Sequence, residues 1–548
     1  MTNTTTQVSP ELTNEDKMAQ GSAWMTIGNI GSRLLGIVYI LPWYHWLGEN
    51  REVGNTLFNM GYTVYALFIM ISTAGIPAAI AKQVAFHNSR KEYRTSQVLF
   101  NRTVQFMIGL GVISALLMYL LAPALAHGAG GGDDLIPSMK SLSIALLVIP
   151  VMSVIRGYFQ GIHNVAPYAI SQLIEQIVRV AYILLSTFII MRMGSGNYVT
   201  AVTHSTFGAF VGAIAGLGIL LYYFRKEKLK MDVLAEMSTE TVEIDTMRLF
   251  ISIIKEAIPF IILGAGITIY KLVDQFTFVR VMSSFTEYSN TQLLRLMALF
   301  NGNPDKLSMV VIGLATSVAI VGLPLITETY AKGDRRELAK LVSNNLQLYT
   351  FIMLPATFGM MLLAYPLNTV FYDPNRLGAN LLIAVCLSGL VQGLFMVTSV
   401  MLQGIYENKS AVIFFAIGLV VKLLTQSLSI HLLESYGPIL STTIGLGVTC
   451  YLNIRKIRKK TNFNLGLTVR RTVLILLMSL VMVLAAAITK GIFGLFLNQD
   501  SKFQAFVLSG LVGLVGVIVY VYMGLKIRLA DKLLGSRMQQ LRARLRIK

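Results

Sequence analysis

Cysteine is nearly absent: there are two in 548 residues, Cys386 and Cys450. Both fall inside long apolar stretches, so neither a disulfide framework nor a thiolate metal cluster is available. The six histidines are scattered, and no two are spaced as a ligand pair. Charge is scarce, at 13% of residues, and acid is scarcer than base. There are 27 Asp and Glu against 46 Lys and Arg, a formal net charge of +19. No polar segment is long enough for a soluble catalytic domain. No phosphate-binding glycine loop, nucleophile–base arrangement or metal-ligand spacing occurs. These absences argue against an ATP-driven pump, a hydrolase or any other enzyme, and they require no cofactor. No secretory signal is evident either. The first apolar stretch, 21–47, is too long for a signal-peptide core and lacks a cleavage site, so it reads as a permanent span.

What is abundant is apolar sequence, 54% of residues, in stretches repeated from end to end. A hydrocarbon core takes about 20 apolar residues per helix. That ruler predicts an all-α polytopic membrane protein of about 14 spans: 21–47, 56–85, 101–126, 135–161, 167–193, 198–224, 252–284, 306–331, 343–370, 378–405, 410–433, 437–454, 468–495 and 503–527. The charges agree with this count. Basic clusters follow spans 2, 6, 8 and 12 and fill the tail (Lys82 to Arg94, Arg225 to Lys230, Lys332 to Lys340, Arg455 to Lys460, Arg537 to Lys548). The alternate loops GENREVGN, HGAGGGDD, GSGNY, YDPNR and NQDSK carry few bases. The positive-inside rule then puts both termini in the cytoplasm and accounts for the basic balance without nucleic acid. The expected layout is a tail over 1–20, a six-helix lobe over 21–224 and a cytoplasmic linker over 225–251. A second lobe follows over 252–460, two extra helices over 461–527 and a basic tail over 528–548.

The two lobes echo one another. Gln160-Gly161-Ile162 returns as Gln403-Gly404-Ile405, and Arg179 returns as Lys422, both at an offset of 243 (403 − 160; 422 − 179). In span 1 Gly28 precedes Arg33 by five positions, as Gly266 precedes Lys271 in span 7. Gly75-Ile76-Pro77 matches Gly322-Leu323-Pro324. Taken in order, these matches indicate a duplicated six-helix unit, the plan of transporters with a central site and alternating access.

The candidate chemistry lies in charges at membrane depth, which are costly and usually face a bundle interior or wet cavity. Arg33, Arg179, Lys271 and Lys422 occupy repeat-related places. Two readings compete: long side chains snorkelling to the headgroups, or a cationic lining that binds an anionic headgroup, above all a diphosphate. Recurrence across repeats favours the lining. Glu175 and Arg179 are spaced i, i+4 on one helix face, which Tyr168 and Gln172 extend. They form either a neutralising ion pair or a positioned substrate contact. Lys271 and Asp274, at i, i+3, pose the same choice, and Asp274 is also a candidate for coupling to Na+ or H+. Ser32, Asn29 and Gln160 add polar lining, and Arg156 reads as interfacial. Gly75-Ile76-Pro77 reads as a kink.

RGYFQGIHNVAPYAISQLIEQIVR (156–179), with TAGIPAAIAKQVA and GSRLLGIVY, resembles the polysaccharide-exporter group of the MOP flippase superfamily, nearest its MurJ/YtgP and SpoVB branch. The resemblance covers essentially the whole chain. It implies a two-lobed, 14-helix flippase of the bacterial plasma membrane that moves lipid II outward for cell-wall synthesis. Ser32-Arg33 followed by Leu35-Gly36 matches the family's essential serine–arginine pair, which gives Arg33 a headgroup-binding role. Tyr39 stands where the family has a second arginine, and its span 2 arginine has no counterpart here. The two extra helices would form a groove for the lipid tail. A monomer is expected, working among membrane lipids and beside cell-wall enzymes and driven by membrane potential or a cation gradient. A flippase for a capsule or teichoic-type precursor, a MATE-type cation or drug antiporter and a non-transporting scaffold are the rival readings.

Overall fold

A computed structural model describes residues 31, 35–36, 39–73, 76–162, 164–236, 238, 258–534 and 536–545. Among them all regular structure is helical. The longer elements are α1 (Ile40–Trp46), α2 (Arg51–Thr73), α3 (Ile76–Ser89), α4 (Tyr93–Gly128), α5 (Gly132–Ala145), α6 (Ile149–Gly161), α7 (Ala166–Phe188) and α8 (Tyr198–Glu236). After the linker come α9 (Gly266–Met282), α10 (Asn290–Met297), α11 (Asn303–Ala331), α12 (Arg335–Leu362), α13 (Ala364–Phe371), α14 (Arg376–Gly404), α15 (Asn408–Leu433) and α16 (Gly437–Thr461). The chain closes with α17 (Leu465–Gly494), α18 (Lys502–Lys526), α19 (Leu529–Leu534) and α20 (Ser536–Arg544).

Nine helical stretches of the described residues are long and apolar enough to cross a membrane, or eleven with two bent pairs. One stretch, Asn408–Thr461, is 54 residues long. It is broken by a 3-10 turn at Glu434–Tyr436 and holds two expected spans. The bent pairs match spans 7 and 9, with breaks of 53° after Gly264 and 72° after Leu362. Of the expected spans, the first lies mostly outside the described residues. The eighth corresponds to the 29-residue helix α11. The protein is thus a multi-pass membrane protein, and its exposed large apolar side chains, such as Leu120, Leu424 and Leu484, fit a lipid-facing surface.

Helix starts follow local chemistry. Asp334 caps α12 by accepting from the Arg336 and Glu337 amides, Asn375 caps α14, and Asn464 caps α17. Pro150, Pro167 and Pro438 sit in first turns, where a missing N–H is harmless. One boundary differs from expectation. α8 runs 39 residues, through the basic run Arg225 to Lys230 to Glu236. At 1.5 Å per residue it is about 58 Å long, nearly twice a hydrocarbon core of ~30 Å. The first part of the expected linker is therefore helix continuing beyond the membrane.

The chain divides into two compact units. Unit 1 comprises residues up to 47, 64–124 and 134–261. Unit 2 comprises 48–63, 125–133 and 262 onward. In unit 1 the conspicuous motif GYFQG has a packing role. A Cβ on Gly157 would lie 2.8 Å from Pro77 Cα, and one on Gly161 would lie 2.8 Å from Ala81 O. Gly157 and Gly161, at i, i+4, therefore let α6 meet α3 backbone to backbone. In unit 2 a Cβ on Gly404 would meet Ile326 at 3.0 Å, so the repeated glycine serves the same contact between α14 and α11. α3 begins at Ile76, directly after the glycine of the Gly-Ile-Pro triplet. α17 runs parallel to α12: Ser343 and Thr468 share a hydrogen bond of 2.8 Å, Arg471 donates to Gln347 at 2.8 Å, and Lys490 donates to the Leu362 carbonyl at 2.7 Å.

Candidate functional site

Each unit holds a buried cluster of charge within its spans. In unit 1, α6 ends at Gly161 and α7 begins at Ala166, and Arg156 of the one lies opposite Ser171 of the other. Arg156 Nε donates to Ser171 Oγ at 3.0 Å and Arg156 Nη2 to Glu175 Oε2 at 3.0 Å. Arg179 Nη2 donates to Glu175 Oε1 at 2.7 Å. Glu175 is therefore gripped from both sides, and the trio carries net +1. Its side chains are 9% (Glu175), 14% (Arg156) and 17% (Arg179) exposed. The Tyr168 ring lies 5.4 Å from the Arg156 guanidinium. Behind the trio, Gly208, Gly212 and Gly216 of α8 form a stripe at i, i+4, i+8. A Cβ on Gly212 would stand 2.6 Å from Glu175 O and 3.0 Å from Arg179 Cβ.

In unit 2, Lys422 of α15 is fully buried. Its ammonium donates to Asp274 Oδ1 and to Thr442 Oγ1, each at 2.6 Å, and lies 5.4 Å from the centre of the Tyr270 ring. Gln426 donates to the same Asp274 oxygen at 2.9 Å, and Ser441 donates to Gln426. Lys271 pairs with Asp305 of α11, not with Asp274 three residues on. Lys271, Asp305 and Asp274 border a recess that Ser388 and Gln392 also line. The repeat extends to packing: a Cβ on Gly445 of α16 would meet Lys422 Cβ at 3.0 Å, as one on Gly212 would meet Arg179 Cβ.

Measured against the sequence, Arg179 and Glu175 meet as their spacing implies, while Gln172 occupies the same helix. Arg156, expected at the interface, is turned by the α6–α7 hairpin onto Glu175. The i, i+3 alternative for Lys271 and Asp274 is not realised, because each has a counter-ion on another helix, which spacing along one helix cannot reveal. Ser32 and Arg33 lie outside the described residues, as do Asn29 and Gly75. Sequence reasoning missed Asp305, Thr442 and Gln426. Equal distance from the turn was the available signal for Arg156, and the i, i+4 step from Lys422 was the signal for Gln426. Among the described residues no group of three or more His, Cys, Asp or Glu is placed to hold a metal ion.

The polysaccharide biosynthesis protein family matches residues 18–330. Lipid II flippase MurJ of Bacillus subtilis (strain 168) is 33% identical over 536 residues, covering 95% of this chain and 97% of that protein. The chain belongs to the MurJ branch of this family. A solved structure of lipid II flippase MurJ in an inward closed conformation superposes with a TM-score of 0.63 at 14% identity, covering 93% of this chain and 99% of that one. An outward-facing MATE multidrug transporter of the MOP superfamily gives 0.56 at 16% identity, covering 82% and 96%. At such identities these likenesses establish the fold alone: the chain shares the helical fold of these two structures.

Proposed function

We propose that this protein is a flippase, not an enzyme. It carries lipid II, the undecaprenyl-diphosphate-linked peptidoglycan precursor, from the inner to the outer leaflet of the plasma membrane for cell-wall synthesis. The observation that carries this reading is the identity of 33% across 95% of the chain to a protein named for that activity. The physical need agrees with it. A diphosphate with a sugar-peptide head cannot cross ~30 Å of hydrocarbon without a polar path. In this reading Arg33 and Ser32, with Arg179, Arg156 and Lys271, bind the diphosphate. Glu175 holds its two arginines in place, and Gln172 serves the sugar or peptide. Lys422 joins them only where its pair with Asp274 opens. The lobes alternate access around the head while the tail stays in lipid along the two extra helices. Membrane potential or a Na+ or H+ gradient resets the empty carrier, and Asp274 is the group proposed to sense the cation. Both termini face the cytoplasm, and the protein works as a monomer beside cell-wall enzymes.

The test is complementation of a strain depleted of its lipid II flippase with wild type, Arg33→Ala and Arg179→Ala, with membrane levels matched. Rescue by wild type alone supports both the function and the site. Failure of well-expressed wild type overturns the lipid II reading. Rescue by all three removes these arginines from the site.

A further inference from the structure

Three helical elements bring cations together at one end of unit 2, outside the charge clusters already described. Lys340 lies in the second turn of α12, Arg471 in the second turn of α17, and Lys532 in α19. α12 and α17 run parallel, so both positive N-terminal ends lie at this end. α19 is held here by its apolar side: Leu529 and Ala530 are buried against Phe351 and Ile475. Arg542 of α20 donates to Asp531 at 2.8 Å and fastens the tail beneath. The nearby acids are already engaged, Asp531 by Arg542 and Glu337 by Lys340 at 3.4 Å. Although Lys532 is exposed, partial desolvation by its surroundings, and after it the charges of Arg471 and Lys340, holds its ammonium below the ordinary lysine range. Membrane topology alone needs basic residues in a loop, not cations drawn from three helical elements at one end of a unit. Beyond the cations, α17 and α18 present exposed apolar side chains, among them Val473, Leu477, Val517 and Val521. A phosphate at the cations and an acyl chain along these helices would together fit an amphiphile.

We infer that Lys340, Arg471 and Lys532 form a binding site for the phosphodiester headgroup of an anionic phospholipid, such as phosphatidylglycerol, which fastens the tail helices to the membrane surface. The exposure of Lys532, Arg470 and Lys526 favours a broad belt for singly charged headgroups over a closed pocket for a diphosphate. Binding is measured without transport, so the result stands apart from the flippase reading.

The test uses the full-length protein in detergent, mixed with equimolar phosphatidylglycerol and phosphatidylcholine, with bound lipids counted by native mass spectrometry. Wild type is expected to retain phosphatidylglycerol preferentially. At about 1 kcal/mol per surface cation, each loss weakens that preference about fivefold. The variant Lys340→Gln/Arg471→Gln/Lys532→Gln should lose it at least tenfold, while Lys226→Gln/Lys228→Gln/Lys230→Gln on α8 should keep it. If the triple variant does not fold, Lys532→Gln alone, on an exposed side chain, should show the fivefold loss. An unchanged preference in the folded variant overturns the site, as does an equal loss in the α8 variant. Stoichiometric displacement of phosphatidylglycerol by undecaprenyl diphosphate from wild type but not from the variant would assign the cations to the transported lipid and overturn the phospholipid reading.

Discussion

Replacing Glu175 with glutamine should damage the protein more than replacing either of the arginines it binds. The carboxylate accepts from Arg179 at 2.7 Å and Arg156 at 3.0 Å, and the trio carries net +1. Glu175→Gln keeps the volume but raises the charge to +2 and weakens two charge-assisted bonds, each worth about 1.5–3 kcal/mol. Removing one partner of a fully buried pair costs about 3–5 kcal/mol. These arginines are 14% and 17% exposed, so the cost here is lower, about 2–4 kcal/mol. Arg179→Gln leaves a neutral Arg156–Glu175 pair and should cost about 1–2 kcal/mol. The double variant Glu175→Gln/Arg179→Gln returns the cluster to +1 and should be more stable than the sum of the singles implies. Thermal unfolding of purified protein in one detergent ranks all four proteins. In complementation, Arg179→Gln should fail despite being the milder structural lesion. The reasoning is refuted if Arg179→Gln is as unstable as Glu175→Gln, or if the double variant is additive.

Lys422→Met should strand Asp274 without its counter-ion at a cost of about 3–5 kcal/mol, and adding Asp274→Leu should recover most of it; unfolding midpoints of the single and double variants check this. Gly157→Ala should cost about 1–3 kcal/mol because its Cβ would lie 2.8 Å from Pro77 Cα, whereas Gly109→Ala, with open space around it, should be within about 0.5 kcal/mol of wild type. Glu407 lies between the apolar stretches and accepts from Lys460 at 2.7 Å, Ser410 at 2.8 Å and Lys456 at 3.1 Å, and the Lys460 bond first of all draws its pKa down to about 2. A carboxylate lowered in the folded state contributes stability that is complete above its unfolded value and lost as pH falls from about 4.5 toward 2. Glu407→Gln should therefore narrow the stability difference between pH 7 and pH 3, with its largest cost at pH 7 and a smaller but still measurable cost at pH 3, as read from unfolding midpoints at the two values.

The membrane-spanning helices were legible because each is written in local sequence as apolar length, and the recurring short motifs were legible in the same way. α17 and α18 were legible for the same reason. The pairing of the charges was not. Spacing puts Glu175 and Arg179 on one face, but the third member, Arg156, arrives from another helix through a hairpin. Lys271 and Asp274 are spaced for each other, yet Asp305 and Lys422 claim them, since a buried charge pairs with whichever opposite charge the fold brings within reach. The length of α8 also ran past its apolar stretch, because a helix end is set by backbone and capping chemistry and not by where lipid stops.

The two charge clusters show how the repeat has diverged while keeping its geometry. Arg179 and Lys422 sit at corresponding places, each with its Cβ facing a glycine of the following helix at the same 3.0 Å approach. Only glycine lets that helix come close enough to wall off the basic side chain on one side, so the backbone arrangement is shared. The electrostatics are not. Arg179 shares its carboxylate with a second arginine and leaves the cluster net positive, whereas Lys422 is matched one to one by Asp274 and fully buried. A net positive cluster that is partly exposed still attracts an anion, while a neutral buried pair does so only after it opens. If the headgroup is bound by these repeat-related cations, unit 1 must contribute most of that attraction. Lys422→Met/Asp274→Leu should then spare substrate binding that Arg179→Gln removes.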